Sequence, residues 1–425
     1  MIKNTYIVLG YGRSGGESEK HLLSLGYKVI VYDDGQNIIP EINWSEIVSV
    51  VQSPGIPMSH TVHIAAKANN IPVCTDIDLL QKRSPKAKYI GITGTNGKST
   101  TTALIGHILK QAGLNVEVGG NIGIPALSLK NLNETGWYAL ELSSYQLELS
   151  NDLHLDIAVW LNISPDHLDR HGLIENYVNA KRRIFSHAKS ACIAIDDDYS
   201  KQTCNQLRIP HTTIASEFKN CPADIWIDAS GMLHCNGALF DCTELETLKG
   251  THNWQNVALA FAVALQILNT PQKIWEYIQT FPGLAHRQQL VAKIDQVEFV
   301  NDSKATNADA CEKALKTYMG QSIFWILGGV AKTDGIELLK PYFPYIKKAY
   351  LIGESQNDFA KTLNGSVLFE KCSSLESAVF KASEEAKFEN NAVVLLSPAC
   401  ASFDQFRDYE HRGEEFIRIV KKVNA

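Results

Sequence analysis

A single stretch, from Gly91 to Gly113, most constrains how this chain can fold. Its first residues continue an apolar run that is typical of a buried strand, and its later apolar residues recur with helical spacing until Gly113. The glycines between these two parts permit a tight turn whose N–H groups converge on an anion at the start of the helix. The stretch therefore predicts a strand, a phosphate-binding loop and a helix.

This loop carries the side chains that nucleotide phosphates require. Lys98 is placed to reach the outer phosphates, and Ser99 is placed to offer its hydroxyl to Mg²⁺. The match to the usual phosphate-binding loop is imperfect, because Ile92 stands where the first glycine belongs. A glycine-rich turn that only opens an ordinary helix is the alternative. We interpret the loop as an ATP site.

Length and composition limit the class of protein. The 425 residues predict about three domains, and the net charge of −6 gives no electrostatic footprint for nucleic acid. No run of about 18 apolar residues occurs, so no membrane span is predicted. The nine cysteines lack paired spacing, which argues for reduced thiols in a cytoplasm and against a disulfide framework or a zinc site.

The N-terminal segment has the pattern of a dinucleotide-binding fold. A short strand leads into a glycine-rich turn at residues 10–15, and a second strand ends in two aspartates about 20 residues later. Such a turn predicts a diphosphate at a helix N-terminus. NAD is one ligand with this group and a UDP-sugar is another. A turn without any ligand is the third possibility.

Polar residues follow two later strands and lie on the helix after them. Glu141 and His167 each come at the end of an apolar run, and Lys181 lies in a helix that the pattern extends over residues 174–188. The carboxyl ends of parallel strands gather ligands, so these residues are predicted to face the phosphate loop. Glu141 and Ser99 suit Mg²⁺. The alternatives are a surface or core role for His167 and a solvated cation at Lys181.

The C-terminal part repeats the alternation of strands and helices. Lys304 and Lys332 each follow a strand, where they would clamp a phosphate or a carboxylate as point charges. His286 and Arg287 suit the same role, and a solvated surface position is the alternative for all four. Alternating strands and helices imply parallel sheets. Residues 201–248 show no interpretable pattern.

We predict an α/β fold of three domains. The predicted domains are a Rossmann-like N-terminal domain (1–86), a central P-loop-type mononucleotide-binding ATPase domain (87–282) and a Rossmann-like C-terminal domain (283–425).

Several motifs occur together in one order: Gly94–Ser99, Glu141, Asp166-His167, Lys181, His252-Asn253, His286-Arg287 and Asp302-Ser303-Lys304. In this order the chain resembles the Mur ligases, the ATP-dependent amide ligases of peptidoglycan precursor synthesis. The resemblance covers essentially the whole chain and is greatest to the branch that adds D-glutamate. The tail at residues 397–406 is typical of that branch. The Asp-Asn-Pro-Arg signature of the branch that adds diaminopimelate or lysine does not occur in the sequence.

The resemblance implies an activity and a set of ligands. ATP and Mg²⁺ would serve as cofactors, and D-glutamate would be joined to UDP-N-acetylmuramoyl-L-alanine through an acyl phosphate. The N-terminal domain would bind the UDP-sugar and the C-terminal domain would bring the amino acid. The enzyme would be a monomer without a nucleic-acid or membrane partner. A folylpolyglutamate-type ligase and an NAD-dependent oxidoreductase remain as alternatives.

The resemblance also implies roles for individual residues. Gly94, Thr95, Asn96, Gly97, Lys98, Ser99, Thr100, Asn253, Arg287 and Asp302 would bind ATP. Ser99, Glu141, His167 and a carbamylated Lys181 would hold the metal, with Lys98, His167 and Lys181 catalytic. Gly12, Arg13, Ser14, Asp34, Ser53, Asn121, Ser143, Gln146 and His167 would contact the UDP-sugar. Lys304, Thr306, Lys332, Ser402, Phe403 and Tyr409 would hold D-glutamate. At Asp34-Gly35 the family often carries Thr-Arg, which leaves the uracil contacts open.

Overall fold

The computed structural model describes residues 3–33, 42–121, 123–150, 152–216, 223–332 and 335–423. The strands form three sheets, which alternate with helices along the chain. The chain divides into two compact units: unit 1 is Met1–Leu245 with Thr251–Phe281, and unit 2 is Glu246–Gly250 with Pro282–Ala425. The predicted α/β class is confirmed.

The first sheet, in unit 1, has four parallel strands in the order β2-β1-β3-β4. The glycine-rich turn connects its first strand to its first helix, as the pattern predicts. The strands are β1 (Thr5–Leu9), β2 (Lys28–Tyr32), β3 (Ile47–Gln52) and β4 (Val73–Cys74), and the helices are α1 (Arg13–Ser24), α2 (Thr61–Ala68) and α3 (Asp76–Arg83).

The second sheet, also in unit 1, has nine strands in the order β13-β12-β11-β10-β9-β8-β5-β7-β6. The strands are β5 (Lys88–Thr93), β6 (Val116–Gly120), β7 (Trp137–Glu141), β8 (His154–Trp160), β9 (His187–Ala194), β10 (His211–Ala215), β11 (Ile225–Ile227), β12 (Met232–Cys235) and β13 (Ala238–Asp241). Strands β5 to β11 run parallel to one another, and β12 and β13 add an antiparallel edge after β11.

Helices of the second sheet include the one that the central glycine loop opens. They are α4 (Lys98–Gln111), α5 (Ser144–Leu149), α6 (Leu168–His171), α7 (Ile174–Arg182), α8 (Asp198–Gln206), α9 (His252–Leu268) and α10 (Pro271–Gln279). The helix predicted over residues 174–188 is shorter than expected. It ends at Arg182 and a 3₁₀ turn follows (Arg183–Phe185), because β9 already begins at His187 and pairs with β8.

The third sheet forms unit 2 and has six strands in the order β14-β15-β19-β16-β17-β18. Only β14 is antiparallel to its neighbour. The strands are β14 (Gln289–Ile294), β15 (Val297–Asn301), β16 (Ser322–Gly328), β17 (Ile346–Ile352), β18 (Phe369–Lys371) and β19 (Ala392–Leu396). The helices are α11 (Ala308–Tyr318), α12 (Gln356–Leu363), α13 (Leu375–Ala386) and α14 (Tyr409–Val423).

One hydrophobic core runs through unit 1 from the first sheet into the second. It contains Val8 and Leu22 of the first sheet's elements together with Tyr138 and Trp160 of the second. The guanidinium of Arg83, at the end of α3, adds hydrogen bonds to the backbone oxygens of Leu127 at 2.7 Å and Leu129 at 2.8 Å. This core is continuous across residues 86 and 87. The domain boundaries predicted at 86/87 and 282/283 stay predictions.

The apolar strands of the second sheet place polar residues at one edge. Strands β5 and β7 are buried almost along their whole length, and both end where a polar cluster begins. Parallel pairing of β5 with β7 and β8 brings these ends together. No helix in the described part of the chain is long and apolar enough to cross a membrane.

The glycine-rich turn of the first sheet allows a test by two neighbouring substitutions. A Cβ atom on Gly15 would lie 2.1 Å from the backbone oxygen of Gly10, whereas a Cβ on Gly16 would meet no atom within 4 Å. We expect Gly15→Ala to lower the free energy of unfolding by about 1–3 kcal/mol through overpacking. Gly16→Ala lies within α1 and should raise it by roughly 0.5–1 kcal/mol. Equal unfolding midpoints for the two variants in urea would contradict this geometry.

Candidate active site

The central loop depends on two glycines with unusual backbone angles. Gly94 has φ 155°, and Gly97, the N-cap of α4, has φ 86°. A Cβ atom on Gly97 would lie 2.1 Å from the side-chain oxygen of Asn256, and one on Gly94 would lie 2.7 Å from Cβ of Leu161. Glycine is therefore required at both positions by angle and by space.

The loop has the form of an anion site. In the described part of the chain no side-chain hydrogen bond caps the N-terminus of α4, and a helix N-terminus after a glycine-rich loop is a common binding place for an anion. The ammonium group of Lys98 folds over the loop and donates to the backbone oxygens of Gly94 at 3.0 Å and Thr95 at 2.8 Å. This arrangement places a cation and backbone donors together, as binding of phosphate requires.

Two asparagines that the sequence motifs did not single out hold this loop. The backbone oxygen of Asn162 accepts from the N–H of Thr95 at 2.7 Å, and its side-chain oxygen accepts from the N–H of Asn96 at 2.9 Å. Asn256, in the first turns of α9, accepts from the hydroxyl of Thr101 at 3.2 Å and donates to the side-chain oxygen of Asn253 at 3.0 Å. Residue Asn253, predicted to contact the nucleotide, is thus tied to the phosphate loop.

Ser99 and Glu141 meet at the edge of the second sheet, as predicted. The hydroxyl of Ser99 donates to one carboxylate oxygen of Glu141 at 2.8 Å, and the side chain of Asn121 donates to the other at 3.1 Å. Glu141 is buried at the end of β7. A hydroxyl and a carboxylate are hard oxygen donors of the kind that Mg²⁺ prefers, so these two residues fit the ion.

His167 occupies a different environment from Glu141. It has φ 54°, its side chain is about half exposed, and its Nε2 lies 3.5 Å from a carboxylate oxygen of Asp166. Its ring stands 5.1 Å from that of Tyr145 and 6.3 Å from that of Tyr177. Within the described ranges, no group of three His, Cys, Asp or Glu side chains could hold a metal. A metal-binding role for His167 stays a prediction.

Lys181 is buried beside the phosphate loop and is not a solvated surface cation. Its side chain is among the largest that are fully buried, and its amine donates to the backbone oxygen of Gly94 at 2.7 Å. The amine also lies 4.7 Å from the centre of the Tyr177 ring. Burial, and secondly the charge of Lys98, lower the pKa of Lys181 well below its ordinary value. The site therefore favours the neutral amine.

Residues predicted to contact the UDP-sugar lie in two groups within unit 1. At the glycine-rich turn, Gly12 and Arg13 are exposed, and the hydroxyl of Ser53 donates to the backbone oxygen of Gly10 at 2.9 Å. At the start of α5, Ser143 and Gln146 form a reciprocal capping box. Asp34 lies outside the described residues.

Asp302 and Arg287, predicted nucleotide contacts, lie in unit 2. Asp302 is buried, where its carboxylate accepts from the hydroxyl of Ser397 at 2.7 Å and from the backbone N–H of Gln288 at 3.1 Å. Burial raises the pKa of Asp302 to about 7, against the opposing effect of these two hydrogen bonds. Arg287 follows the buried His286, whose backbone oxygen accepts from the N–H of Lys304 at 2.9 Å.

The residues predicted to hold D-glutamate lie on three loops of unit 2, except Tyr409, which is the first residue of α14. Lys304 stands with its ammonium 5.8 Å from the centre of the Tyr409 ring. The loop after β16, which leads to Lys332, pairs with the loop that carries Ser402 through two hydrogen bonds between Val330 and Ala401, of 2.9 and 3.0 Å. Ser402 is buried. Thr306 is half-buried and Lys332 is exposed, and Phe403 is 73% exposed.

Arg412, which no motif indicated, joins the same loops from α14. Its buried guanidinium donates to the hydroxyl of Ser303 at 2.9 Å, to the backbone oxygen of Ser303 at 2.8 Å and to that of Cys400 at 3.0 Å. A longer contact of 3.5 Å reaches the backbone oxygen of Gly328. The rigid fork of donors suits this task. From sequence, an arginine near the start of a C-terminal helix is indistinguishable from a solvated one.

Known protein families match the two regions that contain these site residues. The family description "Mur ligase middle domain" matches residues 92–264, and "Mur ligase, glutamate ligase domain" matches residues 286–400. Proteins named UDP-N-acetylmuramoylalanine--D-glutamate ligase are similar to the chain over nearly its whole length. The protein of Caulobacter sp. (strain K31) is 42% identical, with 98% of this chain and 96% of that protein covered. That of Rhodospirillum rubrum is 43% identical, with 97% and 93% covered.

Solved structures of similar fold have much lower sequence identity. The MurF ligase of Thermotoga maritima in complex with ADP has a TM-score of 0.63 at 17% identity, and covers 100% of this chain and 96% of its own. The UDP-N-acetylmuramate-alanine ligase MurC of the same organism has a TM-score of 0.62 at 16% identity, with 99% of both chains covered. These likenesses show the fold alone.

The buried carboxyl of Asp302 predicts a pH dependence of stability. Its folded pKa of about 7 is raised above the ordinary 3.8, so between these values the folded chain holds a proton that the unfolded chain has lost. The contribution of Asp302 to the free energy of unfolding should therefore fall as pH rises from about 4 to 7, by roughly 1.4 kcal/mol per pH unit, and level off above pH 7. Asp302→Asn should remove this contribution, so the variant should gain stability relative to wild type between pH 4 and 7 and be more stable than wild type at pH 8.

The measurement is urea unfolding between pH 4.5 and 8, with the ligand-free protein. Asp358→Asn, which removes an exposed carboxylate on α12, serves as the matched control and should keep the wild-type slope. Parallel pH profiles for wild type and Asp302→Asn would show that Asp302 is already ionised in the folded chain.

Proposed function

The chain belongs to the Mur ligase family, and on this premise we propose that it is the ATP-dependent ligase that joins D-glutamate to UDP-N-acetylmuramoyl-L-alanine in peptidoglycan synthesis. The observation that carries the proposal is the sequence identity of 42% and 43% to proteins named as D-glutamate ligases, which extends over almost the entire chain. Membership of this family argues against an NAD-dependent oxidoreductase, and these relatives' names argue against a folylpolyglutamate ligase. We expect a cytoplasmic monomer.

ATP would bind at the loop between β5 and α4. The N–H groups at the start of α4 would receive its phosphates, and Lys98, which now donates to loop carbonyls, would turn its three donors to the outer phosphates. The remaining predicted contacts are Gly94, Thr95, Asn96, Thr100, Asn253, Arg287 and Asp302.

Ser99 and Glu141 would hold Mg²⁺, which supplies charge neutralisation for the phosphates when bound. The hydroxyl oxygen of Ser99, in the first turn of α4, and a carboxylate oxygen of Glu141, at the end of β7, already lie 2.8 Å apart. His167 and Lys181 are the further predicted ligands. A carbamylated Lys181 would add an anionic oxygen, which suits a hard cation better than an amine does.

The reaction would proceed in two displacements. The carboxylate of the L-alanyl group attacks the γ-phosphorus of ATP, so an acyl phosphate forms and ADP leaves. The amine of D-glutamate then attacks the carbonyl carbon, the bond between that carbon and the phosphate oxygen breaks, and the nitrogen releases a proton. The chain contributes positioning and fixed charge, chiefly through Lys98 and the N–H groups of α4.

D-Glutamate would be held by the three loops of unit 2. Two ammonium groups, on Lys304 and Lys332, offer point charges for two carboxylates, and the hydroxyls of Thr306 and Ser402 offer directed hydrogen bonds. The hydrogen bonds between Val330 and Ala401 support this proposal, because they bring the second lysine's loop beside the serine's loop. Phe403 and Tyr409 would add apolar walls.

The test of the proposed function is phosphate release from ATP in the presence of UDP-N-acetylmuramoyl-L-alanine and single amino acids. We expect release with D-glutamate and at least 100-fold less with L-glutamate, glycine or diaminopimelate. Release that depends on another amino acid would assign the chain to a different ligase. Release without any UDP-sugar would exclude the proposed substrate.

Substitutions at Lys181 test whether a carbamate is used. Its burial favours the neutral amine, the form that adds CO₂ to give a carbamate and a proton. Lys181→Ala should retain less than about 1% of wild-type turnover, and millimolar acetate should restore part of it by supplying a carboxylate in the vacated space. Lys181→Arg should stay inactive with acetate, because arginine fills that space with a cation.

Both variants need a control for folding, because the lysine is buried. Circular dichroism and the unfolding midpoint provide this control. A folded Lys181→Arg enzyme with near-normal turnover would show that the site uses a positive charge instead of a carbamate.

A further inference from the structure

Asp76 is a buried carboxyl group without a part in the mechanism above. It is the first residue of α3 and is 3% exposed. Within the described part of the chain neither of its carboxylate oxygens makes a hydrogen bond of normal geometry, although hydrogen-bond donors stand nearby. A buried polar group left without a partner costs on the order of 1–3 kcal/mol, so this carboxyl lowers the stability of unit 1. Its presence calls for a functional explanation.

Two side chains predicted to contact the UDP-sugar stand beside it. Burial raises the pKa of Asp76, and the Ser14 hydroxyl, the backbone N–H of Ile77 and the Gln146 amide lie close enough to oppose this effect by favouring the ionised form. Ser14 belongs to the first turn of α1, next to the glycine-rich turn. Gln146 belongs to the first turn of α5, shortly after Glu141. The carboxyl group therefore stands between the turn predicted for the diphosphate and the helix predicted for the sugar–peptide arm.

The orientation of the Gln146 amide supports a link through Asp76. Its side-chain oxygen accepts from the backbone N–H of Ser143 at 3.0 Å and from the hydroxyl of Ser143 at 3.0 Å. Because the oxygen is used in this way, the amide nitrogen is the donor on the other side, with two N–H groups. A carboxylate can receive one of them and leave the second for a ligand.

Asp78, two residues further along α3, differs from Asp76 because its carboxylate is used in hydrogen bonds within the protein. It accepts from the backbone N–H of Thr75 at 2.6 Å and from the hydroxyl of Thr75 at 2.8 Å, as a capping box requires. It also accepts from the hydroxyl of Ser150 at 3.3 Å. The capping box of Thr75 and Asp78 thus already serves the N-terminus of α3, where Asp76 has the backbone N–H of Ile77 nearby.

We propose that Asp76 is a positioning residue for the UDP-sugar substrate, which fixes the Ser14 hydroxyl and the Gln146 amide relative to each other. When the substrate binds, the carboxylate accepts one hydrogen bond from each. The Ser14 oxygen then turns its lone pairs, and the Gln146 nitrogen its second N–H, toward the ligand. Binding at the diphosphate end and at the sugar–peptide end is thereby coupled. This inference rests on the proposed function.

Asp76→Asn tests the inference by two measurements, the KM values for the substrates and the midpoint of unfolding. The KM for UDP-N-acetylmuramoyl-L-alanine should rise at least tenfold, while the KM values for ATP and D-glutamate stay within twofold. The unfolding midpoint should stay equal or rise, because the variant removes an unpaired buried carboxyl. A role in folding alone would give a lower midpoint and an unchanged KM, and would overturn the proposal.

Asp78→Asn is the matched control, since it changes the neighbouring carboxylate that caps α3. It should lower the unfolding midpoint and leave all three KM values within twofold of wild type. A rise in the KM for the UDP-sugar as large as that in Asp76→Asn would show that any loosening of α3 suffices, and would contradict a specific role for Asp76.

Ser14→Ala, Gln146→Ala and their double variant keep the test independent of the folding of Asp76→Asn. If Asp76 couples the two residues, the double variant should raise the KM for the UDP-sugar by much less than the product of the single effects. Strictly multiplicative effects would overturn the coupling. Wild-type turnover separates the two proposals: without phosphate release the proposed function fails, whereas release with an unchanged KM in Asp76→Asn defeats this inference alone.

Discussion

The candidate active site of unit 1 depends on one close approach, between the backbone at Gly97 and the side chain of Asn256. Only a residue without a Cβ atom fits there, and only glycine adopts the required angle without strain. The contact fixes the start of α9 against the start of α4. Lys98 and Ser99 are the first two residues of α4, directly after this approach, and the hydroxyl of Ser99 reaches Glu141 from there.

Burial, more than ion pairing, sets the charge state of the important ionisable groups. Lys181 is surrounded by backbone oxygens and an aromatic ring, and Asp302 by a hydroxyl and an N–H group. Neutral partners of this kind satisfy hydrogen bonds without restoring the free energy lost by removing a charge from water. The pKa of the lysine is therefore lowered and that of the aspartate raised, which brings both toward the neutral form.

Local patterns in the sequence predicted the parts of the fold that depend on local chemistry. The glycines of the two turns and the apolar strands before Glu141 and Asp302 identified the α/β class. Glu141 was predicted to face the phosphate loop, and the structure places it in contact with Ser99 of that loop's helix. The helix carrying Lys181 was predicted too long, because pairing of β9 with β8 overrides a helical pattern. Asn162, Arg412 and Asp76 could not be found, since each acts through residues distant in the chain. Roles that need a ligand stay predictions.

Arg412 has a consequence for how the C-terminal loops can vary. One guanidinium donates hydrogen bonds to carbonyl groups from three separate segments. Because the guanidinium is planar and rigid, it fixes the positions of these three carbonyl groups relative to one another. The loops are therefore not independent modules. Grafting one of them from a relative with a different amino-acid preference would displace its carbonyl from that plane and disturb the other two. Exchange of specificity in this scaffold should require the three loops to be transplanted together.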